Sequence, residues 1–218
     1  MPEQSHKKKT VLVTGFGPFG DHKVNASWVA VQNLNEIGIA EDIDLVIKEI
    51  PVEYCSVQDL LPKLWETYNP HYIEHVLLLY AFILCSVLQL VIHVGVSGIA
   101  SELTLEQQAH NDGYDKGDVL GKCPDQNCCV DGADNCIASE LDMQCVCHDI
   151  NNSGIDVKAV VSLDPGRYLC DFSYYRSLHI DKSRVAFIHV PPLNKPYSQE
   201  QLAEGLRQAI LSMLKQLH

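Results

Sequence analysis

The chain is short of positive charge. Lys and Arg number 16 against 28 Asp and Glu in 218 residues, for a formal net charge of -12. Nucleic-acid binding rests on basic side chains neutralising phosphates, so no nucleic-acid partner is expected. No apolar run follows the single basic cluster, Lys7-Lys8-Lys9, so MPEQSHKKKT does not read as a secretory leader. Residues 1–9 read instead as a solvated tail, and the cytoplasm is the expected location. None of the nine cysteines stands in a CxxC pair, and their spacing over residues 123–147 is irregular. That argues against a disulfide framework or a zinc knuckle, so reduced thiols and no metal are expected.

Charge is also missing, if histidines are neutral, from EHVLLLYAFILCSVLQLVIHVGVSG after its first residue, Glu74. A bilayer-spanning helix needs roughly twenty apolar residues, and residues 76–92 nearly supply them. Taking residues 90–96 into a membrane would strip a strand from the core, so no membrane partner is expected.

Short apolar, β-branched runs alternate with helical patterns along the rest of the chain. TVLVTGF (10–16), IDLVIKEIPV (43–52), LVIHVGVSG (90–98), DVKAVVSL (156–163) and RVAFIHV (184–190) read as strands. Asn25 caps a helix to about Asn35. Ser56 and Asp59 resemble a capping box before the face Val57, Leu60, Leu61, Leu64, Trp65 and Tyr68, with Pro62 bending that helix or marking its first turn. Helices are also expected over residues 137–151, after Cys170, and from Ser198 to the end. The alternation implies one α/β domain over residues 1–218 with a mostly parallel sheet covered on both faces.

In such folds the site lies outside the carboxyl ends of the strands. VVSL runs into DPGRYLCDFSYY, which sets Cys170 near a helix N-terminus, where the dipole favours thiolate. AFIHVPP delivers His189 to the same edge, so neighbouring strand ends would carry a nucleophile and its base. Glu106 is one candidate to orient the imidazole. The other histidines, including His71, His75, His110, His148 and His179, have no comparable partner.

VTGFGPFGDHKVNASW, IPVEY, HVGVSG, GRYLCDFSYY and HVPPL occur in that order. Together they resemble the pyroglutamyl-peptidase I family, cysteine peptidase family C15, and animal members most closely. The resemblance implies a three-layer α/β/α sandwich and a cysteine exopeptidase that removes N-terminal pyroglutamyl residues from peptides. It implies a catalytic triad of Cys170, His189 and Glu106, with Phe16 and Phe19 sandwiching the lactam ring. The structural alternative is that Gly15, Gly17 and Gly20 make a tight turn with those phenylalanines in the core. TGFGPFG lacks the Gly-Lys-Ser/Thr ending of a phosphate loop. No cofactor is expected, the substrate partner is a pyroglutamyl peptide, and a monomer is expected.

Three departures stand out. Asp164-Pro165-Gly166 replaces the usual Asp-Ala-Gly before the nucleophile, and proline fixes φ and removes an N–H. IASELTLEQQAHNDGY lacks the arginine that bacterial members carry there. Residues 72–89 stand as a hydrophobic insertion against the family pattern. The alternative reading is therefore a catalytically impaired homologue, a scaffold or binding protein whose site Pro165 and the insertion have spoiled.

Overall fold

The computed structural model describes residues 8–20, 23–68 and 88–217. Most of the N-terminal tail and residues 72–87 of the suspected insertion lie outside the described residues, as do His71 and His75. Among the described residues no helix is long and apolar enough to cross a membrane. Leu88 to Ile92, the end of the apolar run, are strand residues.

Eight strands are described: β1 Lys9–Phe16, β2 Ile43–Ile50, β3 Leu88–Val96, β4 Leu103–Glu106, β5 Gln108–His110, β6 Cys136–Ala138, β7 Ala159–Ser162 and β8 Val185–Val190. Five helices accompany them: α1 Ala26–Ile37, α2 Tyr54–Tyr68, α3 Met143–Asn152, α4 Leu169–Asp181 and α5 Gln199–Leu214. Six strands form one sheet in the order β2-β1-β3-β8-β4-β7, while β5 and β6 make a separate antiparallel pair. The expected α/β/α layering holds. Alternate strand residues bury Val11, Val13, Ile92, Val94 and Ile188 against α1, α3 and α5, and Leu12, Val91 and Phe187 against α2 and α4.

The sheet is parallel through β2, β1, β3 and β8, but β4 runs antiparallel to β8, and β7 is parallel to β4. This corrects the placing of Cys170 and His189 on neighbouring strand ends. β4 lies between β8 and β7, and β7 points the other way. The loop of residues 163–168 must therefore double back to bring α4 over the sheet.

Local sequence explains most element boundaries. Asn25 caps α1 by accepting from Ser27 N at 3.0 Å. Gly15 is required there, because a Cβ on it would sit 2.8 Å from Trp28 Cα. Ser198 forms a full capping box with Gln201 at the start of α5. Two expectations are corrected. Helix α2 begins at Tyr54, so Ser56 lies inside it and donates to Glu53 rather than capping, and Pro62 sits in mid-helix. Burial of Val57, Leu61, Leu64 and Trp65 holds the helix together despite the lost hydrogen bond. Residues 136–138 pair with β5, and α3 starts only at Met143, after Asp142 caps it.

Candidate active site

One register row crosses the whole sheet. Gly15 lies opposite Val94, so the next position sets Phe16 beside Gly95. Gly95 pairs with His189, His189 with Thr104, and Thr104 with Val160. Side chains at paired positions share a face, so Phe16, His189, Thr104 and Val160 all line one cleft of about 740 Å³. Glu106 and Ser162, paired with each other, lie on the same face two residues along their strands and line it as well.

Cys170 is the second residue of α4 and stands above Gly95. A Cβ on Gly95 would lie 2.8 Å from its Sγ and 2.8 Å from Phe187 Cζ, so the missing side chain makes the room that the sulfur occupies. Tyr168, the N-cap of α4, makes no side-chain capping bond. The first-turn amides of α4, which have no intrahelical acceptor, therefore receive no bond from that side chain.

His189 is buried to 6% exposure and its Nδ1 meets Glu106 Oε1 at 2.8 Å. Cys170 is the other group whose proximity acts on the ring. Burial disfavours the imidazolium, but the charge of Cys170 and hydrogen bonds to Cys170 and Glu106 outweigh it and raise the imidazole to about 10. Glu106 is itself held by its position in β4, where its carbonyl accepts from Tyr174 Oη at 2.8 Å. The three residues expected to form a triad thus come together as a chain of contacts.

Phe16 and Phe19 both line the cleft. Phe16 is only 3% exposed and belongs to the aromatic core around Tyr54 and Phe172, while Phe19 packs against that core and is half-buried. The glycines thus shape a turn, and the phenylalanines, while packed in or against the core, also form a wall of the cleft. Phe16 N donates to Ser27 Oγ at 3.0 Å, and Asn25 Nδ2 donates to the Gly17 carbonyl at 2.9 Å. Asn25, read from sequence only as a helix cap, thus also fixes the loop.

Pro165 is buried in the loop leading to Cys170, and the adjoining Gly166 takes the left-handed φ of 84° that glycine permits. Arg167 ties this loop down. Its Nη1 lies 2.6 Å from Asp164 Oδ1 and 3.4 Å from Asp171 Oδ2. Asp171, next to Cys170 and fully buried, also accepts the His110 backbone N–H at 3.0 Å. Burial pushes its carboxyl up to about 7, against the opposing pull of that N–H and of Arg167.

Among the remaining histidines, His110 comes near a carboxylate: its Nδ1 lies 3.5 Å from Asp171 Oδ2, without a hydrogen bond. The single expectation for those histidines missed it because the contact is between β5 and α4, far apart in sequence. His148 is at the surface, and His179 stacks on Tyr175 with ring centroids 6.3 Å apart. His93 is fully buried, bridging Thr14 Oγ1 and Ser177 Oγ at 2.7 Å each, and burial lowers it to about 3.

The rim carries Glu102 and Asp164, and among the described lining residues Lys116 is the one lysine or arginine, its Nζ 4.5 Å from the Tyr168 ring centroid. No group of three or more His, Cys, Asp or Glu that could hold a metal occurs among the described residues. Gly95, Thr104, Val160 and Asp171 escaped sequence reading. Only the HVGVSG glycines gave a signal, since a glycine inside a strand marks a close approach.

The chain is similar to known peptidases. A family model described as pyroglutamyl peptidase matches residues 9–79, and a second pyroglutamyl peptidase model matches residues 46–194. The chain is 48% identical over 207 residues to pyroglutamyl-peptidase 1 of Homo sapiens, a match covering 95% of this chain and 90% of that protein. Its structure is similar to a crystal structure of pyrrolidone carboxyl peptidase from Fervidobacterium islandicum, with TM-score 0.79, 24% identity, and coverage of 97% of this chain and 100% of that one. It is likewise similar to a mutant pyrrolidone carboxyl peptidase from Pyrococcus furiosus, with TM-score 0.77, 25% identity, and coverage of 94% and 98%.

Proposed function

The chain belongs to the pyroglutamyl peptidase family, and from that premise we propose that Cys170, His189 and Glu106 carry out the removal of an N-terminal pyroglutamyl residue from peptides. It is a cysteine-type peptidase. The observation that carries the residue assignment is the contact chain from Glu106 Oε1 through His189 Nδ1 to the other side of the ring, where Cys170 stands at the start of α4.

In this reading Cys170 Sγ attacks the pyroglutamyl carbonyl carbon while His189 holds a proton beside it. The tetrahedral oxyanion is met by first-turn amides of α4, since Pro165 offers no N–H. The C–N bond breaks as His189 passes its proton to the departing amine, leaving a thioester on Cys170. His189 then takes a proton from water, the hydroxide attacks the thioester, and pyroglutamate leaves as the thiolate re-forms. Glu106 keeps the imidazole oriented and stabilises its charged form throughout.

The lactam has no free α-amine and presents a flat, almost neutral ring, which suits the aromatic wall of Phe16 and Phe19. The impaired-scaffold alternative is not favoured. With Pro165 in place, nucleophile, base and carboxylate still meet in one cleft. The eight described cysteines are all free thiols, which supports a reducing cytoplasmic location, and we take the working species to be a monomer, to be checked by size-exclusion chromatography. Release of a fluorescent amine from a pyroglutamyl conjugate tests the function. Cys170→Ala is expected to abolish release, and activity surviving that substitution overturns the assignment.

A further inference from the structure

The register row that contains His189 does not stop there. It continues through Thr104 on β4 to Val160 on β7, the last strand of the sheet. Exposure rises along the row: Phe16 is 3% exposed, His189 6% and Val160 40%, and Ile99 above the cleft is 97% exposed. Apolar side chains left open at one end of a cleft whose other end is closed are surface that an occupant covers.

Chemistry fixes which part of the substrate lies where, and this step rests on the function proposed above. The pyroglutamyl ring lies on the Phe16 side of Cys170. The departing amine must be within reach of His189, so the rest of the peptide leaves on the opposite side, over Thr104 and Val160. Two strand spacings of about 4.8 Å separate His189 from Val160, and an extended peptide advances about 3.3 Å per residue, so roughly three residues of the leaving peptide fit before the sheet edge.

We propose that Val160 and Ile99 form an apolar subsite for the second or third residue of the leaving peptide, which makes the protein selective for pyroglutamyl oligopeptides with apolar side chains there. Glu102 lines the same cleft, so acidic side chains at those positions are disfavoured by like charge. Thr104, one strand from His189, faces the first leaving residue.

The test compares the wild type with Val160→Asp and Ile99→Asp on two substrates. One is a pyroglutamyl aminomethylcoumarin, whose leaving group ends at the amine. The other is a pyroglutamyl tetrapeptide with leucine at the second and third leaving positions. The ratio of kcat/KM for the long over the short substrate is expected to fall about tenfold in each variant, chiefly through KM. Ile99 lies almost wholly in solvent, so its replacement keeps the result readable if Val160→Asp disturbs β7. Replacing both leucines by aspartate should lower the wild-type ratio as well.

An unchanged ratio in Ile99→Asp, or a wild type that treats leucine and aspartate peptides alike, overturns the subsite. Calorimetric binding of the leucine peptide to the Cys170→Ala protein, with and without Val160→Asp, supplies a readout that needs no chemistry. A wild type that cleaves neither substrate defeats the proposed function, while the binding measurement still decides the subsite. About tenfold weaker binding supports it, and equal binding refutes it.

Discussion

Gly95→Ala replaces one hydrogen by a methyl group in a place where the structure has no room for it. The new Cβ would lie 2.8 Å from both Cys170 Sγ and Phe187 Cζ. Non-bonded heavy atoms settle at about 3.5–4.0 Å, so roughly 1 Å must be found. Phe187 cannot supply it, because it is fully buried and wedged between Tyr174 and His189, with ring centroids 5.7 and 4.8 Å away. The sulfur moves instead, carried by the first turn of α4, and its alignment with His189 is lost. A displacement of about 1 Å in a reacting group costs on the order of 100-fold in rate. Steady-state kinetics on a pyroglutamyl arylamide should therefore show kcat about 100-fold down with KM little changed, since the Phe16 and Phe19 wall is untouched. Overpacking should also cost about 1–3 kcal/mol of stability, visible in urea unfolding. Alkylation of Cys170 by iodoacetamide should persist, separating a misplaced thiol from a lost one. A folded Gly95→Ala protein with kcat within threefold of wild type would refute the reasoning.

Glu106→Gln keeps the shape of the His189 partner but removes its charge, so kcat should fall by on the order of 10³-fold, with circular dichroism unchanged. A loss under fivefold would show that the carboxylate is dispensable. Phe19→Ala should raise KM several-fold with a smaller change in kcat, because an aromatic contact of this kind is worth about 0.5–1.5 kcal/mol; an effect confined to kcat would count against a ring-binding role. pH dependence of stability offers a further check with opposing signs. His93 is lowered to about 3, so the unfolded chain takes up its proton below 6.5 while the folded protein does not, and stability drains as pH falls from 6.5. Asp171 is raised to about 7, so folding holds its proton and stability drains as pH rises from about 4 towards 7. The two slopes cancel between about pH 4 and 6.5. Asp171→Asn should unmask the histidine, giving a loss of about 1.4 kcal/mol per pH unit on acidification in urea titrations, and an unchanged flat profile would reject the pairing.

β1, β2, β3, β7 and β8 were legible because each is an apolar, β-branched run, and α1 and α5 because Asn25 and Ser198 are caps a reader can see, whereas the short β4, β5 and β6 carried no such run and were missed. The candidate nucleophile and base could be picked out through their neighbours in sequence: Cys170 follows a strand and starts a helix, and His189 precedes two prolines. What joined them was not. Nothing local says that β4 runs antiparallel between β8 and β7, since direction is set by how a connection crosses the sheet. Without that direction, the pairing of His189 with Thr104 and of Thr104 with Val160 cannot be deduced. Asp171 was hidden for a similar reason: its partners are the His110 backbone, 61 residues away, and an arginine that also serves Asp164. Helix α2 shows the limit of local rules. Pro62 reads as a start or a bend, yet burial of an apolar face on both sides of it carries the helix through.

The order in which the chain supplies its strands has a bearing on safety. β8 is the last strand in sequence, and it enters between β3 and β4, which do not pair with each other in the sheet. A growing or nicked chain that lacks it possesses the thiol of Cys170 and the carboxylate of Glu106 but no imidazole between them, and its sheet is split in two. Proteolytic competence therefore arises only at the final closure of the fold. In the proposed mechanism Cys170 thus has no base until β8 is in place, and activity in a sample counts the molecules whose sheet is complete.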